Sequence, residues 1–282
     1  MRYNRSFVSI ILFIALSLSG NCQKINLSGY PTSVRTGYLT VYQISSDTMF
    51  TGKQNIFVAE IKNEAYLRYN FAIAHSDSLL KKTSQFAEEN KAVVALNGGF
   101  FDVVKGGSVA YLESSGKVIA ETRNAKEKWA KTDSLLNGAI ILDHSGRLKV
   151  EIAKPASFYE KSQEEKSVMV SGPILIADGR ILPLENSPFV KNRHPRSCLC
   201  ITNEKDILFI AIDGRSGIAS GMSLKELQQF LFQLNCRDAI NLDGGGSTTL
   251  WVNNGSEKKI INKPSDKEGE RAVANILLMQ EK

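Results

Sequence analysis

Histidine is scarce in this 282-residue sequence, and no long apolar run or low-complexity tract follows its first residues. Three histidines and the lack of an aspartate-rich motif argue against a multi-ligand metal site. We therefore expect no cofactor, with a single Ca²⁺ or Mg²⁺ held by Asp side chains left open. The net charge is +6, but the lysines are dispersed and no basic stripe is interleaved with aromatics. The composition thus argues against a nucleic-acid partner and allows a mild attraction for anionic substrates.

The first 22 residues have the order of a secretory signal. Arg2 and Arg5 precede an apolar run at residues 7–16, which is too short to cross a bilayer, and a small, polar stretch follows. Cys22 stands after Leu-Ser-Gly-Asn, which resembles the cleavage box of bacterial lipoproteins except at the residue just before the cysteine. We expect an exported bacterial protein, in the periplasm or anchored to the outer membrane through lipidated Cys22. Ordinary signal cleavage a few residues earlier is the alternative.

The three remaining cysteines, Cys198, Cys200 and Cys236, are an odd number, so at least one is a free thiol if Cys22 is lipidated. Cys198 and Cys200 point to the same face of a predicted strand but lie too far apart for easy disulfide bonding. We expect all three to be buried and to pack as small hydrophobic side chains.

No repeat and no Pro- or Ser-rich linker divides the chain, which favours a single domain. β-rich runs separated by polar residues predict strands at residues 39–44, 56–61, 66–74, 93–97, 139–142 and 239–242. Residues 197–202 and 207–213 predict an antiparallel hairpin.

Apolar spacing predicts two helices, at residues 79–89 and 223–235. A capping box, Ser223-x-x-Glu226, opens the second helix. Hairpins mixed with few helices predict an α+β fold, with a mixed, largely antiparallel sheet and packed helices in a single domain.

Asn97-Gly98-Gly99 ends a predicted strand, with Asp102 close behind. The adjacent glycines let the backbone turn sharply and approach a ligand, while Asn97 and Asp102 can project polar groups from the turn. An ordinary Asn-Gly turn is the alternative.

Arg193-His194-Pro195-Arg196 stands at the mouth of the predicted hairpin. Two guanidinium forks suit a phosphate, and His194 could transfer a proton near neutral pH. A histidine with a purely structural role is the alternative.

Two predicted strands run directly into an Asp-Gly loop, one at Asp213 and one at Asp243. A carboxylate at the end of a buried strand is costly unless it is paired or functional, and Arg215 follows the first. Glycine-rich turns are the alternative for both.

After Asp243, a run of three glycines can expose successive N–H groups as an anion-binding nest, followed by two hydroxyl donors. These residues are Gly244, Gly245, Gly246, Ser247 and Thr248. The run lacks the ending of a Walker loop, and the order of a nucleophile elbow is absent. A flexible surface loop is the alternative, as a surface ion pair is for Glu270 and Arg271 further on.

Together these segments, with Gly172-Pro173 and the stretches at residues 212–227 and 241–248, resemble the phosphodiester glycosidase family in order and spacing. The resemblance implies a catalytic core at residues 91–282, preceded by strands and a helix of the same domain at residues 23–90 and by the signal at 1–22. It implies an exported glycosidase that removes the sugar from a sugar-1-phosphodiester, of the N-acetylglucosamine-1-phosphodiester kind, or from a phosphorylated glycan. Cys198 and Cys200 lie where the family has a Thr-Ala-Ile-Gly kind of run.

Within that interpretation, five side chains are candidates for bond cleavage, namely Asp213, Asp243, Glu270, His194 and Asp102. The other segments are candidates for holding substrate and phosphate: Asn97, Gly98, Gly99, Arg193, Arg196, Arg215, Gly244, Gly245, Gly246, Ser247, Thr248 and Arg271. Because the leaving group is a phosphate of low basicity, a strong acid catalyst is not required. The alternatives are a non-catalytic module that binds glycan or cell-wall phosphate, and a metal-dependent phosphodiesterase.

A helix between the strands ending at Asp213 and Asp243 should return the chain parallel to its first direction, so both loops should leave one edge of the sheet. Neighbouring or next-neighbouring strands would place the two residues within about 10 Å. The sequence leaves open the sugar, the acceptor phosphate, the stereochemical outcome and the oligomeric state.

Overall fold

The structure, a computed structural model, describes residues 24–282. The predicted signal and Cys22 lie outside this range. No helix in the range is long and apolar enough to cross a membrane. The described strands are β1 Thr32–Arg35, β2 Leu39–Ser46, β3 Gln54–Ile61, β4 Tyr69–His75, β5 Lys81–Lys82, β6 Ala92–Asn97, β7 Leu112–Ser114, β8 Lys117–Ala120, β9 Gly138–Asp143, β10 Leu148–Ile152, β11 Glu165–Ser171, β12 Ile174–Ala177, β13 Arg180–Ile181, β14 Arg196–Thr202, β15 Ile207–Ile212, β16 Cys236–Asn241, β17 Leu250–Asn253, β18 Lys258–Ile260, β19 Ala272–Val273 and β20 Asn275–Glu281. The described helices are α1 Thr83–Glu89, α2 Ala156–Tyr159, α3 Pro188–Lys191 and α4 Leu224–Gln233.

An eight-stranded sheet with the order β1-β2-β3-β15-β14-β16-β12-β13 forms the centre of the molecule. Two five-stranded sheets, β10-β9-β11-β7-β8 and β18-β17-β6-β20-β4, pack around it, and β5 pairs with β19 alone. One core fills the space between the three larger sheets, where Phe209, Leu277 and Met169 meet. Burial of apolar side chains from all three sheets against one another holds them in one unit.

Each larger sheet also buries its other face. Helix α4 covers the central sheet with Leu224, Leu227 and Phe230, because its apolar residues recur at helical spacing. The Ser223 hydroxyl accepts from the Glu226 N–H and the Glu226 carboxylate accepts from the Ser223 N–H, so the predicted capping box is formed. This helix is confirmed to within two residues at its end.

Every strand pair of residues 24–282 is antiparallel, and the four helices are short. The expected single domain and predominance of antiparallel strands are confirmed. The expected α+β class with a mixed sheet is corrected to a sheet-dominated fold with few helices. The strands joined by α4, β15 and β16, are next-neighbours that run in the same direction, and β14 pairs antiparallel with both of them.

The helix expected at residues 79–89 begins only at Thr83. Lys81 and Lys82 instead pair with Ala272 and Val273 as a small separate sheet. Leu79, expected on the apolar side of the helix, is 71% exposed.

The cysteine expectation is wrong for two of the three residues, because Cys200 and Cys236 form a disulfide. The ladder between β14 and β16 places Thr202 opposite Cys236, which brings Cys200 within a Cα distance of 5.8 Å. Cys198 is a buried free thiol, as expected.

The first described residues lie at the end of α4. The Ile25 N–H donates to the Gln233 carbonyl (2.9 Å), and Lys24 Nζ donates to Asn235 Oδ1 (3.0 Å). The Asn203 amide, in the turn between β14 and β15, also donates to Asn235 (3.1 Å). The chain therefore enters the described fold at the edge of the central sheet where this turn lies.

Candidate active site

Three predicted segments meet at the opposite edge of the central sheet. β14 begins at Arg196, opposite Ile212 at the end of β15, and Cys198 faces Asn241 at the end of β16. Asp213 and Asp243 follow those two strand ends. The strand pairing thus confirms that both Asp-Gly loops leave the same edge, with β14 between them.

Asn97 ties this edge to the neighbouring five-stranded sheet. Its Nδ2 donates to the Asp243 carbonyl (2.7 Å), and its Oδ1 accepts from the Ser197 hydroxyl (2.5 Å) and the Thr249 N–H (3.1 Å). The Gly98 carbonyl accepts from the Asp243 N–H (3.0 Å). Asn97 and Gly98 therefore fix the backbone of Asp243 from both sides.

Gly98 and Gly99 lie against Asn275, the first residue of β20. The Gly99 N–H donates to Asn275 Oδ1 (2.7 Å), and a Cβ on Gly98 would overlap that oxygen. Gly98 is therefore required by close packing of its backbone on an amide side chain, whereas a Cβ on Gly99 would meet its neighbours at an ordinary distance of 3.5 Å. Their binding of substrate stays a prediction.

The Asp243 side chain is partly exposed, while the residues on both sides of its loop are buried. Burial raises its pKa above the ordinary value of 3.8, against the Ser247 hydroxyl, the Lys131 charge, the Gly244 N–H and the Arg271 charge. A carboxylate with these surroundings can accept a proton or attack an electrophilic carbon at neutral pH.

The triple glycine forms a tight turn over the start of β14. The Gly245 N–H donates to the Pro195 carbonyl (3.0 Å), and a Cβ on Gly244 would crowd the same oxygen. Gly245 has φ +64°, in the left-handed region that favours glycine. Gly246 lies directly under the Asp266 and Arg271 side chains, so no larger residue fits.

Arg196 is 1% exposed and carries its charge into the interior. Its Nε donates to the Met222 carbonyl (2.9 Å), and its Nη2 donates to the carbonyls of Phe189 (2.8 Å) and Asn192 (3.1 Å). No carboxylate within residues 24–282 forms an ion pair with it. Burial, with the Arg215 charge, lowers its pKa to about 10. A buried cation held only by neutral acceptors is costly, and an anionic ligand would offset that cost.

His194 and Arg215 lie beside Arg196. The two side chains approach at 3.4 Å between Arg215 Nη2 and His194 Nδ1, which can accept only as the tautomer protonated on Nε2. Burial, followed by the charges of Arg196 and Arg215, lowers the pKa of His194 below 6.5. The imidazole is therefore neutral at neutral pH and free to take up a proton.

Asp213 is 3% exposed, and its two carboxylate oxygens are fully engaged. Asn55 Nδ2 donates to Oδ2 (2.7 Å), while Asn262 Nδ2 (3.2 Å) and the Lys263 N–H (2.9 Å) donate to Oδ1. Asn262 also donates to the Thr248 carbonyl (3.0 Å), which links Asp213 to the loop after Asp243. Burial raises the pKa of Asp213 in spite of these donors. The structure thus gives Asp213 a positioning function, and its catalytic role stays a prediction.

Three hydroxyls after the triple glycine are buried without a hydrogen-bond partner in the described part of the chain, those of Ser247, Thr248 and Thr249. The Asn275 Nδ2 is buried and unpaired in the same way. Buried polar groups of native proteins are nearly always paired, so an unpaired set at one place indicates a ligand or bound water there.

The side chains of three predicted site residues are engaged in hydrogen bonds and ion pairs with residues outside the site. Asp102 accepts from the Val104 and Lys105 N–H groups and pairs with Arg123 at 2.7 Å. Burial opposes its ionisation, but these donors and the Arg123 charge lower its pKa to about 2. Asp102 is therefore poorly suited to catalysis as an acid, and the structure assigns it to a turn.

Glu270 is the second such residue, since it accepts from the N–H and the hydroxyl of Ser84 (2.7 Å each) at the first turn of α1. A carboxylate there stabilises the helix. Arg193 is the third: it forms an ion pair with Glu226 (2.5 Å) and donates to the Phe50 carbonyl. Arg271 pairs with Asp266 (2.7 Å) but stays beside Gly246 at the site.

Sequence reasoning missed the side chains that support the site. Lys131, in the segment before β9, contributes a positive charge at Asp243 and lies 5.1 Å over the Phe100 ring. Asn55, Asn262 and Asn275 are single amides without a motif of their own. Only their hydrogen bonds to Asp213 and Gly99 reveal their function, and these join residues up to 176 positions apart.

A cavity of about 700 Å³ is a groove at the other end of the central strands, beside β10 and Arg237, and none of the predicted site residues lines it. A smaller cavity of about 240 Å³ adjoins the site and is lined by Asp213 and Arg215 among others. No group of three or more His, Cys, Asp or Glu side chains within residues 24–282 is arranged to hold a metal ion.

The antiparallel fold thus brings carboxylates and a buried arginine without a carboxylate partner to one end of the central strands within residues 24–282. The profile of the phosphodiester glycosidase family matches residues 90–280. The chain therefore belongs to the phosphodiester glycosidase family, whose characterised relatives are hydrolases acting on phosphodiester-linked sugars.

Two curated relatives match parts of the chain. N-acetylglucosamine-1-phosphodiester alpha-N-acetylglucosaminidase of Mus musculus is 26% identical over 168 residues, 57% of this chain and 32% of its own length. An uncharacterised protein from the SPbeta prophage of Bacillus subtilis is 35% identical over 85 residues, 30% of this chain and 12% of its own length. The chain thus spans a third or less of either relative.

Solved structures share the fold. The catalytic domain of the zebrafish N-acetylglucosamine-1-phosphodiester alpha-N-acetylglucosaminidase, auto-inhibited by its pro-peptide, has a TM-score of 0.64 at 19% identity, covering 89% of this chain and 87% of that one. A hypothetical protein from Synechocystis has a TM-score of 0.62 at 16% identity, covering 88% and 63%. The fold covers residues before position 90 as well as the matched family segment.

Proposed function

We propose that the protein is an exported glycosidase that releases the sugar from a sugar-1-phosphodiester, with an N-acetylglucosamine-1-phosphodiester as the nearest chemical type. The observation that carries the proposal is Arg196, a buried guanidinium without a carboxylate partner, at the same sheet edge as Asp243. The negative charge of a phosphodiester would pair with the Arg196 guanidinium. The choice of the bond that is cleaved rests on membership of the family.

In this mechanism, Arg196 and Arg215 hold the phosphate, with the glycine turn and the unpaired hydroxyls of Thr248 and Thr249 around the substrate. Asp243 acts at the anomeric carbon, either as a base on water or as a nucleophile. The bond between that carbon and the phosphate oxygen breaks, and its electron pair leaves with the phosphate. If Asp243 is the nucleophile, water hydrolyses the glycosyl ester and neutral His194 takes up the proton of that water; if Asp243 is the base on water, Asp243 itself takes up the proton.

Incubation with a panel of sugar-1-phosphodiesters in water enriched in oxygen-18 tests the reaction. A glycosidase places the label on the sugar, whereas a phosphodiesterase places it on the phosphate. Mass spectrometry of the two products reads the difference directly. Label in the phosphate, or no turnover of any substrate in the panel, would contradict the proposal.

Export is part of the proposal, and the disulfide between Cys200 and Cys236 supports it, because such bonds persist in oxidising compartments. Expression of the full chain in a bacterial host should place it in the membrane fraction, and Cys22→Ser should release it. Soluble periplasmic protein from the unchanged gene would refute the lipid anchor but leave export intact.

A further inference from the structure

Two residues that line the 240 Å³ cavity, Arg215 and Asp266, also contact the glycine turn of the site. Arg215, which lines it, lies over Gly245, since a Cβ there would come within 3.1 Å of the guanidinium. Asp266, on the other side of the cavity, lies over Gly246. Through Arg215 and Asp266 the cavity is directly adjacent to the site.

The cavity has an excess of free positive charge. Lys263, Lys267 and Arg215 line it, and none of them has an ion-pair partner within residues 24–282. Both lining carboxylates are engaged: Asp266 pairs with Arg271, and Asp213 is held by amide and N–H donors. The free cations therefore face the cavity without compensation.

A neutral donor accompanies these charges. The Ser265 hydroxyl is buried and has no hydrogen-bond partner in the part of the chain that the structure describes, and Ser265 lines the same cavity. Unpaired buried hydroxyls are rare in native proteins, so this one is a hydrogen-bond donor without an assigned acceptor next to the cavity. Arg215 faces both the site and the cavity, and Lys263 and Lys267 beyond it supply the charges that match a second phosphate group.

Building on the proposed function, we propose that this cavity binds a second phosphate on the leaving-group side of the substrate. The substrate class is then a sugar-1-phosphodiester whose acceptor alcohol is itself phosphorylated. Cleavage breaks the bond from the anomeric carbon to the phosphate oxygen, water supplies the new sugar hydroxyl, and one proton is released. The leaving group departs with both phosphates and contacts Lys263 and Lys267 after the bond has broken.

Two matched substrates test this specificity, N-acetylglucosamine-1-phosphate esterified to glycerol and the same diester carrying a phosphate on the glycerol. The second should have a kcat/KM higher by about three- to tenfold at low salt, and the preference should shrink as salt screens the exposed charges. The variant Lys263→Gln/Lys267→Gln should lose the preference while keeping its activity on the first substrate.

A matched control removes two exposed lysines elsewhere, Lys117→Gln/Lys166→Gln, and should keep the preference. Equal kcat/KM for both substrates in the unchanged protein would overturn the inference, as would a preference that survives loss of Lys263 and Lys267. Cleavage of the first substrate alone, which has no second phosphate, would leave the proposed function standing.

If neither ester is cleaved, calorimetry of the two leaving groups tests the second phosphate site independently of the proposed glycosidase activity. Glycerol 1,3-bisphosphate should bind the unchanged protein more tightly than glycerol 3-phosphate, and the Lys263→Gln/Lys267→Gln variant should bind the two alike. Equal binding of both by the unchanged protein would refute the second phosphate site.

Discussion

The two aspartates at the sheet edge hold their carboxylates in different ways. Asp243 has a fixed backbone and a partly exposed side chain, whereas Asp213 is enclosed by Asn55, Asn262 and Lys263. A carboxylate that reacts with substrate must be accessible to it, as Asp243 is. A carboxylate that positions other groups must keep its hydrogen bonds, as Asp213 does. This difference separates the two aspartates experimentally.

Asp243→Asn should lower kcat by about a thousandfold or more with an unchanged melting temperature, because only the reacting carboxylate is lost. Asp213→Asn should lower the melting temperature as well, since an amide oxygen cannot accept from three donors and its NH₂ would face a donor. Steady-state kinetics and thermal unfolding of both variants check this. Asp178→Asn, an exposed ion-pair residue, is the control, and an unaltered kcat in Asp243→Asn would exclude that residue from the chemistry.

Asp102 gives a prediction about acid stability. Its folded pKa is about 2, below the ordinary 3.8, so its ionised form stabilises the fold above pH 3.8 and that contribution disappears as pH falls through 2. Asp102→Asn should therefore melt lower than the unchanged protein at pH 7, and the gap should narrow from pH 4 towards pH 2. Arg123→Gln should show the same convergence. A gap independent of pH would mean that the Asp102 charge is not involved.

At the scale of single elements, local signals were sufficient where partners lie close in sequence. The capping box and apolar spacing of α4 determine that helix by themselves, and the helix in turn predicts the shared edge of Asp213 and Asp243. The predicted start of α1 was wrong because Lys81 and Lys82 pair with residues about 190 positions away. The contacts of Glu270 with Ser84 and of Asp102 with Arg123 could not be predicted for the same reason, because no local pattern joins these residues.

The disulfide is another element that local spacing could not reveal, because it depends on the register between β14 and β16. Closing a separation of 36 residues should contribute about 3–4 kcal/mol to the free energy of unfolding. Cys200→Ala/Cys236→Ala should lose this amount in denaturant titration, and reductant should destabilise the unchanged protein similarly. Cys198→Ala should respond to reductant as the unchanged protein does, and insensitivity of that protein to reductant would refute the bond.

At the scale of the whole molecule, the family profile and the folding unit have different limits. The profile matches residues 90–280, but β3 pairs with the whole of β15, and β4 pairs with β20 along its full length. Residues before position 90 therefore supply strands to two of the three larger sheets. The boundary expected at residue 90 marks where the family profile begins. Residues on both sides of it contribute side chains to one hydrophobic core.

A chain of residues 91–282 should consequently fail to fold, because β15 and β20 would each expose an unpaired apolar edge. Residues 24–282 should unfold cooperatively with a compact hydrodynamic radius. Circular dichroism melts and size-exclusion chromatography of the two chains check this. Cooperative unfolding of the shorter chain would show that the first strands are dispensable.

Lys24 and Ile25 contact the end of α4, beside the turn between β14 and β15, whereas Arg196 and Asp243 lie at the far ends of those strands. A six-residue strand is roughly 20 Å long. A lipid attached two residues before Lys24 would therefore hold the molecule with its catalytic edge pointing away from the bilayer. Its substrates would then come from the surrounding fluid or from polymers outside the membrane, and glycolipids with headgroups close to the same bilayer would be out of reach.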